Sequence, residues 1–184
     1  GEVTPGTTHT TTFGDGETFT GNIKPTPWVA RGKDNLKKFL QTGLLSTNHI
    51  SIAASGDKYD VRFGIGHTYQ RAIVPNMDMN TTNFNLSAGY EFSDKIKLTA
   101  DINYSRQYSP NFPDVNYGPN SMIYNVIIWA GADWSMQDMK NYWQPGKVGL
   151  QQQYAEYQRY NNPWFMVNEW LRPHYKNDLY GYVS

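Results

Sequence analysis

An aromatic cluster late in the chain holds the residues best suited to binding or chemistry. Five of the six tryptophans of this 184-residue chain lie between positions 129 and 170, interleaved with tyrosines, asparagines and glutamines. Flat rings give contact area at little cost in conformational entropy, and amides add hydrogen bonds, so the combination suits sugar faces and extended polymers. The alternative is that the rings pack together as the core of a large loop. The residues predicted to face a substrate or partner are Trp129, Asp133, Trp134 and Tyr157.

Carboxylates in the same region raise the question of glycoside hydrolysis, which needs two acidic groups across a cleft. The spacing of these carboxylates favours solvated or helix-capping roles; they are Asp133, Asp138, Glu156 and Glu169. The sequence contains no Gly-x-Ser-x-Gly, no phosphate-binding glycine loop and no His-Glu-x-x-His. We therefore predict that the protein is not an enzyme.

Metal and cofactor sites are not indicated by the sequence. It has no cysteine, and its four histidines are not spaced as ligands on one helix or turn. Asn76, Asp78 and Asn80 alternate as at the start of a calcium loop, but Thr81 stands where an EF-hand needs glycine. An EF-hand is excluded, and the prediction is a chain with no cofactor.

Composition narrows the class of protein. Sixteen basic and sixteen acidic residues give a net charge of zero, which argues against a nucleic-acid partner. No run of about 18 apolar residues is present, so no membrane-spanning helix is predicted. Apolar residues make up 39% and aromatic residues 15%, so the chain is poor in aliphatic core and rich in amphipathic rings.

The elements that must position these residues are strands. Four segments alternate apolar and polar residues with period two, which indicates strands with one apolar and one polar face. In one of them Phe84, Leu86 and Ala88 lie opposite Asn85 and Ser87. The predicted strands are 48–55, 60–70, 83–92 and 95–105.

Strand and loop lengths favour an outer-membrane barrel over a soluble sheet. Soluble strands average about 5–6 residues, whereas tilted barrel strands need about 9–11, and three of the four predicted strands have the longer value. Tight turns at 56–59 and 93–95 share one end of the sheet, and longer connections share the other, as in such barrels. Aromatic residues near strand ends match an interfacial girdle; they are Tyr69, Tyr90, Phe92 and Tyr104.

Short helices are predicted within the loops. Asp34 is placed to cap a helix closed by Gly43, and Ser135 to cap one stopped by Pro145. Residues 150–160 are a further helical candidate, and residues 1–27, rich in Thr, Gly and Pro, are predicted to be loop. Trp143 and Trp164 are expected to pack inward, and Trp129 and Trp134 to face a lumen or a partner.

An ordered set of motifs resembles the SusC/RagA-like TonB-dependent outer-membrane transporters. Each motif is weak alone, but together they run collinearly from about residue 27 to residue 184. In chain order they are DNLKKFLQTG (34–43), IVPNMD (73–78), FNLS (84–87), SDKIKL (93–98), NYS (103–105), DMKNYW (138–143), NNPW (161–164) and DLYGYVS (178–184).

The resemblance implies a closed barrel of about 22 strands, with an N-terminal plug and a TonB box. It further implies a SusD-like surface lipoprotein as a lid, TonB as the energy-coupling partner and an oligosaccharide or peptide as substrate. This chain contains neither plug nor TonB box, so we expect a barrel segment of about five or six strands. Such a segment would lie in the lipid bilayer of a bacterial outer membrane with its long loops outside, and it would have no nucleic-acid partner.

The whole chain is accordingly expected to belong to one barrel domain. It would comprise an extracellular loop region with a short helix (1–47), a four-strand meander (48–105), a long extracellular loop (106–177) and the start of the next strand (178–184). The alternative is a secreted carbohydrate-binding β-sandwich, and a third reading is a glycosidase fragment. A barrel would expose the apolar strand faces, whereas a sandwich would bury them between two sheets.

Overall fold

The computed structural model describes residues 8–12, 18–22, 29–114, 116–129, 131–133, 135–155 and 159–184. The fold is all-β, as predicted, and its main body is a five-stranded antiparallel sheet. The strands are β1 (Thr8–Thr12), β2 (Thr18–Asn22), β3 (Leu44–Ser55), β4 (Tyr59–Arg71), β5 (Asp78–Ser93), β6 (Ile96–Ser109) and β7 (His174–Val183). The helical segments are α1 (Asn35–Phe39), α2 (Met122–Tyr124), a π-helix that continues it (Asn125–Trp129), a 3-10 helix (Asp138–Lys140) and α3 (Pro163–Asn168).

Strands β3 to β7 pair in sequence order as one continuous meander. Gly56 donates its backbone N–H to the carbonyl of Tyr59 at 2.8 Å and closes the first tight turn. The β5–β6 turn lies at the same end of the sheet, and the connections 72–77 and 110–173 lie at the other end. The predicted antiparallel order and the separation of short turns from long loops are therefore confirmed.

The strands extend beyond the limits that alternation predicted. β4, β5 and β6 have 13, 16 and 14 residues. β3 begins at Leu44, paired with Arg71, and β7 begins at His174, paired with Ser109. Backbone pairing continues into these segments although their side chains do not alternate. The two strands therefore begin four residues earlier than expected, at 44 rather than 48 and at 174 rather than 178.

The N-terminal segment contains structure that its composition did not predict. β1 and β2 form a two-stranded antiparallel sheet in which Thr8 pairs with Asn22. The expectation of loop is wrong for these two strands. Alternate threonines explain the difference, because β-branched residues fit the pleated backbone well.

The apolar face of the five-stranded sheet is exposed. Successive strands bring apolar residues side by side in register, for example in the row Ile52, Phe63, Leu86 and Ile102. The members of this row are 66%, 40%, 40% and 49% exposed. The neighbouring rows contain Ile50, Ile65 and Phe84, and Ala54, Val61, Ala88 and Ala100. The apolar strand faces therefore form one band across the sheet, and this band lies on the surface.

Buried apolar residues lie instead among the long connections, which pack together at the end of the sheet opposite the tight turns. We call residues 29–43, 72–77 and 110–173 the loop cap. Its core consists of Phe39, Val74, Met77, Met122, Val126, Met136, Met166 and Val167. Four methionines in this core suit an irregular interior, because their flexible side chains fill uneven gaps.

The helices of the loop cap are shorter than predicted. The helix expected to follow Ser135 is one 3-10 turn, and no helix occurs in the described part of 150–160, where Gln152 bridges to Trp143 instead. Helix α1 ends at Phe39 rather than near Gly43. Asp34 precedes it with a φ of 64° and makes no side-chain cap bond. No helix among the described residues is long and apolar enough to cross a membrane.

Candidate functional site

Buried amides join distant parts of the loop cap. Oδ1 of Asn35 accepts the backbone N–H of Met136 at 3.0 Å, across 101 positions of sequence. Asn162 caps helix α3 by accepting the N–H of Trp164 at 2.9 Å and donates to the carbonyl of Met139 at 3.0 Å. Because unpaired polar groups are costly to bury, each satisfied amide favours one arrangement of these loops.

A second group of amides ties the 72–77 loop to helix α3. Asn76, with a φ of 55°, donates from Nδ2 to the carbonyl of Val167 at 2.7 Å. Asn111 donates to the same carbonyl at 3.3 Å, and its Oδ1 accepts the backbone N–H of Arg172 at 3.2 Å. These bonds therefore join the 72–77 loop, helix α3 and both ends of the 110–173 connection.

An ion pair closes the base of that connection. Nη1 of Arg172 lies 2.6 Å from Oδ2 of Asp114, and both side chains are mostly shielded from solvent. The backbone N–H of Asn116 donates to Asp114 at 2.9 Å, and this bond, with the guanidinium, holds the pKa of Asp114 below its ordinary value of 3.8. The guanidinium also lies over the ring of Trp170 at 4.6 Å. Arg172 thus holds the two ends of the loop together.

Trp143 and Trp164 pack against neighbouring rings, which is the position predicted for both. Trp164 lies edge-on to Phe39 with ring centroids 5.1 Å apart. Its Nε1 donates to the carbonyl of Met136 at 2.8 Å. Trp143 lies edge-on to Phe165 at 5.5 Å. Both rings are half-buried, and Trp164 packs directly against the core of the loop cap.

Two of the four predicted site residues, Trp129 and Asp133, are among the described residues, and the structure shows no contact between them. Trp129 is half-buried and stacks on the buried ring of Tyr160, with centroids 4.3 Å apart and planes 19° apart. Arg159 lies over both rings, 5.9 Å from Trp129 and 5.2 Å from Tyr160. Asp133 is exposed. Trp134 and Tyr157 lie outside the described residues.

The aromatic row continues toward the N-terminus through tyrosines that were not predicted as site residues. Tyr124 lies 6.3 Å from Tyr160, and Tyr117 lies 4.7 Å from Tyr124. Tyr117 is 90% exposed. The tyrosines before residue 129 were the available signal, but the cluster was defined by its tryptophans.

The candidate carboxylates serve other partners. Asp138 pairs with Arg31 at 2.5 Å. Glu169 accepts the hydroxyl hydrogen of Tyr142 at 2.7 Å. Burial, together with this bond, raises the pKa of Tyr142 to about 12. Glu156 lies outside the described residues, and within them no cluster of three or more His, Asp or Glu side chains could hold a metal ion.

A groove on the polar face of the sheet was also not anticipated. It spans β3 to β7 and has a volume of about 330 Å³. Its principal lining residues are His49, Gly66, Asn83, Asn85, Asn103 and Tyr180. Alternation placed these residues on one face, but only the register of the strands showed that they are neighbours.

Comparison with known proteins assigns no family to this arrangement. Neither the family models nor the curated proteins match the chain.

Proposed function

We propose that this chain is a barrel-wall segment of a TonB-dependent outer-membrane importer of oligosaccharides or peptides. The observation that carries the proposal is the exposed apolar face of a long-stranded antiparallel meander whose opposite face is polar. An apolar face of this extent matches lipid, and a polar face matches a water-filled lumen.

Aromatic side chains at both ends of the apolar face support a membrane position. Near the tight turns, Tyr90 and Phe92 are in ring contact at 4.8 Å, and near the loop cap Tyr108 and Tyr175 are in contact at 4.9 Å. Within strand β4, Tyr59 and Tyr69 lie near the two ends. The ten residue steps between them rise about 33 Å along the strand, which at a tilt of about 40° spans about 25 Å, the height of an outer-membrane apolar band.

The edges of the sheet support a larger closed structure. Among the described residues, β3 and β7 each pair on one side alone. Unpaired backbone groups are not tolerated within a bilayer, so further strands would pair with these two edges. The loop cap would then lie outside the cell, where a SusD-like lipoprotein would cover the barrel, and TonB would act through a plug outside this chain.

The loop cap also offers surface for such a lid. Val148 and Leu150 project from a turn and are 73% and 83% exposed. Ile127 and Ile128, at the end of the π-helix, are exposed as well. Exposed aliphatic residues on an otherwise ordered loop are typical of a surface that another protein covers.

The alternative function is carbohydrate binding by a secreted β-sandwich. A sandwich packs its apolar faces between two sheets about 10 Å apart. The five-stranded sheet instead presents that face to the surface, which favours the membrane proposal.

Single cysteine labels on the two faces of the sheet test the proposal, since this chain itself contributes no native cysteine. Spin labels would be placed singly at Leu86, Leu98 and Ile102, and at their polar neighbours Ser87, Thr99 and Asn103, in the full-length gene product in liposomes. We expect oxygen to relax the first set and a water-soluble nickel complex to relax the second. Equal nickel accessibility of both sets would contradict a bilayer position, and protection of the first set from both reagents would favour the sandwich.

A further inference from the structure

Two glycines of one strand lie beside the polar groove: Gly66 lines it, and Gly64 lies two residues away on the same face, outside the lining. Gly64 and Gly66 lie on β4 between His49 of β3 and the asparagines of β5. A Cβ built on Gly64 would collide with Oδ1 of Asn85 and would lie 3.3 Å from Nε2 of His49. A Cβ on Gly66 would lie 3.3 Å from Cδ2 of the same imidazole. The glycines therefore allow the amide and the imidazole to lie over the strand.

The register of the strands places a row of hydrogen-bonding side chains beside these glycines. Asn85 is paired with Asn103, which is paired with Tyr180 on the edge strand β7. Asn83 and Ser105 form the adjacent pair on the same face. Tyr180 is 65% exposed and adds a flat ring to one side of the groove.

The groove lining contains no acidic side chain, no lysine and no arginine. Two carboxylates border the groove on the same face. Asp101 accepts a hydrogen bond from Asn103, and Asp178, which lies 2.7 Å from Lys176, is paired in register with Ser105. An acidic ligand would therefore find no basic side chain in the lining and carboxylates at its border.

Several polar groups of the groove are available to a ligand. Within the described residues, the side chains of His49, Asn83 and Asn85 make no hydrogen bond, whereas Asn103 donates to Asp101. A primary amide carries two donors and one acceptor, and a sugar hydroxyl both donates and accepts. A row of amides therefore matches a row of hydroxyls.

We propose that this groove is a binding site for an uncharged oligosaccharide, held by the amides of Asn83 and Asn85, the imidazole of His49 and the ring of Tyr180. The inference rests on the proposed function for its setting, the lumen wall, and narrows the substrate of that importer. A peptide is the less suitable occupant, since the open sheet offers no pockets for alternate side chains.

The test measures binding to the purified full-length protein in detergent. The probes are an array of neutral oligosaccharides of different sugars and linkages, oligogalacturonates as acidic sugars, and end-blocked hydrophilic peptides. Affinity for the best neutral sugar is then compared between Asn85→Ala and Ser87→Ala, and between Tyr180→Ala and Tyr182→Ala. Each control lies two residues from its partner, on the same strand and face but outside the groove lining.

We expect neutral sugars to bind and Asn85→Ala and Tyr180→Ala each to weaken binding about five- to tenfold, with both controls within about twofold of wild type. Preference for peptides or acidic sugars, binding of no probe, or equal losses in the variants and controls would overturn the site. Heat-modifiable electrophoretic mobility reports barrel folding separately. A soluble wild-type protein that still binds sugar through Asn85 and Tyr180 would contradict the barrel and support the groove.

Discussion

Phe39 and Trp164 meet edge to face in the centre of the loop cap, with ring centroids 5.1 Å apart and planes at 73°. The two residues belong to α1 and α3, which are separated by most of the sheet in sequence. Phe39 is 1% exposed. The pair therefore links the loop that precedes β3 to the loop that follows β6, and it sets the first prediction.

Phe39→Ala should loosen the loop cap while leaving the strands assembled. Truncating a buried phenylalanine costs about 3–5 kcal/mol, because contacts are lost and a cavity remains. Limited proteolysis of the folded full-length protein should then cut within 110–173 much faster than in wild type. Leu36→Ala on the same helix is the control, since Leu36 is exposed, and equal cleavage of the two variants would contradict a central role for Phe39.

The strands were predictable because each carries its own signal. Period-two alternation placed β3 to β6, and their order follows from tight turns such as the one at Gly56. Strand ends were less predictable, since pairing of Leu44 with Arg71 depends on the neighbouring strand rather than on local alternation. Predicting the polar groove would have required the register between neighbouring strands, which the sequence of a single strand does not encode.

The loop cap was predictable in character but not in detail. Its aromatic content indicated an ordered loop, and Trp164 packs as expected. Contacts such as that between Asn35 and Met136 join positions 101 residues apart and leave no local pattern. The helix expected after Ser135 fails for the same reason, because tertiary contacts rather than helical propensity shape this segment.

Leu86→Arg should disrupt the proposed barrel, whereas Ser87→Arg should be tolerated. Leu86 lies on the exposed apolar face, midway between the aromatic ends of the sheet, and Ser87 lies on the polar face of the same strand. A charge on the lipid face near mid-membrane costs about 2–4 kcal/mol, while a lumen charge stays hydrated. The amount of heat-modifiable protein in outer-membrane fractions measures the difference. Equal losses in the two variants would contradict the assignment of the two faces and the position of the sheet in a membrane.

Lowering the pH should break the ion pair between Asp114 and Arg172 and so loosen the two ends of the 110–173 connection. Its pKa in the folded protein lies below 3.8, so its contribution to stability is complete above that pH and is lost as the pH falls through the folded value. Fluorescence reporting on Trp170, which lies under Arg172, should change below about pH 4 in wild type. Asp114→Asn should already show the altered signal at neutral pH and lose this acid transition. An unchanged transition in that variant would assign it to other carboxylates.

The expectation that Trp129 faces a lumen or a lid stays a prediction, and the structure adds a packing role. The ring is half-buried, stacks on Tyr160 at 4.3 Å and lies under Arg159. Trp129→Ala should therefore destabilise the loop cap and, through it, lower substrate uptake and lid association. Trp129→Phe keeps an aromatic stack and should retain most of the loop-cap stability, the substrate uptake and the lid association.

Ile128→Asp supplies the contrasting variant, since Ile128 is 56% exposed next to the same ring. It should weaken co-purification of the SusD-like lid without raising the protease sensitivity of the loop cap. The substitution replaces an exposed apolar side chain and leaves the buried contacts of the loop cap in place. Growth on the imported polymer, lid co-purification and proteolysis are measured together for the three variants. If Trp129→Ala leaves the loop cap protease-resistant yet abolishes uptake, the ring contacts substrate directly. If all three variants grow normally and retain the lid, this edge of the loop cap has no part in transport.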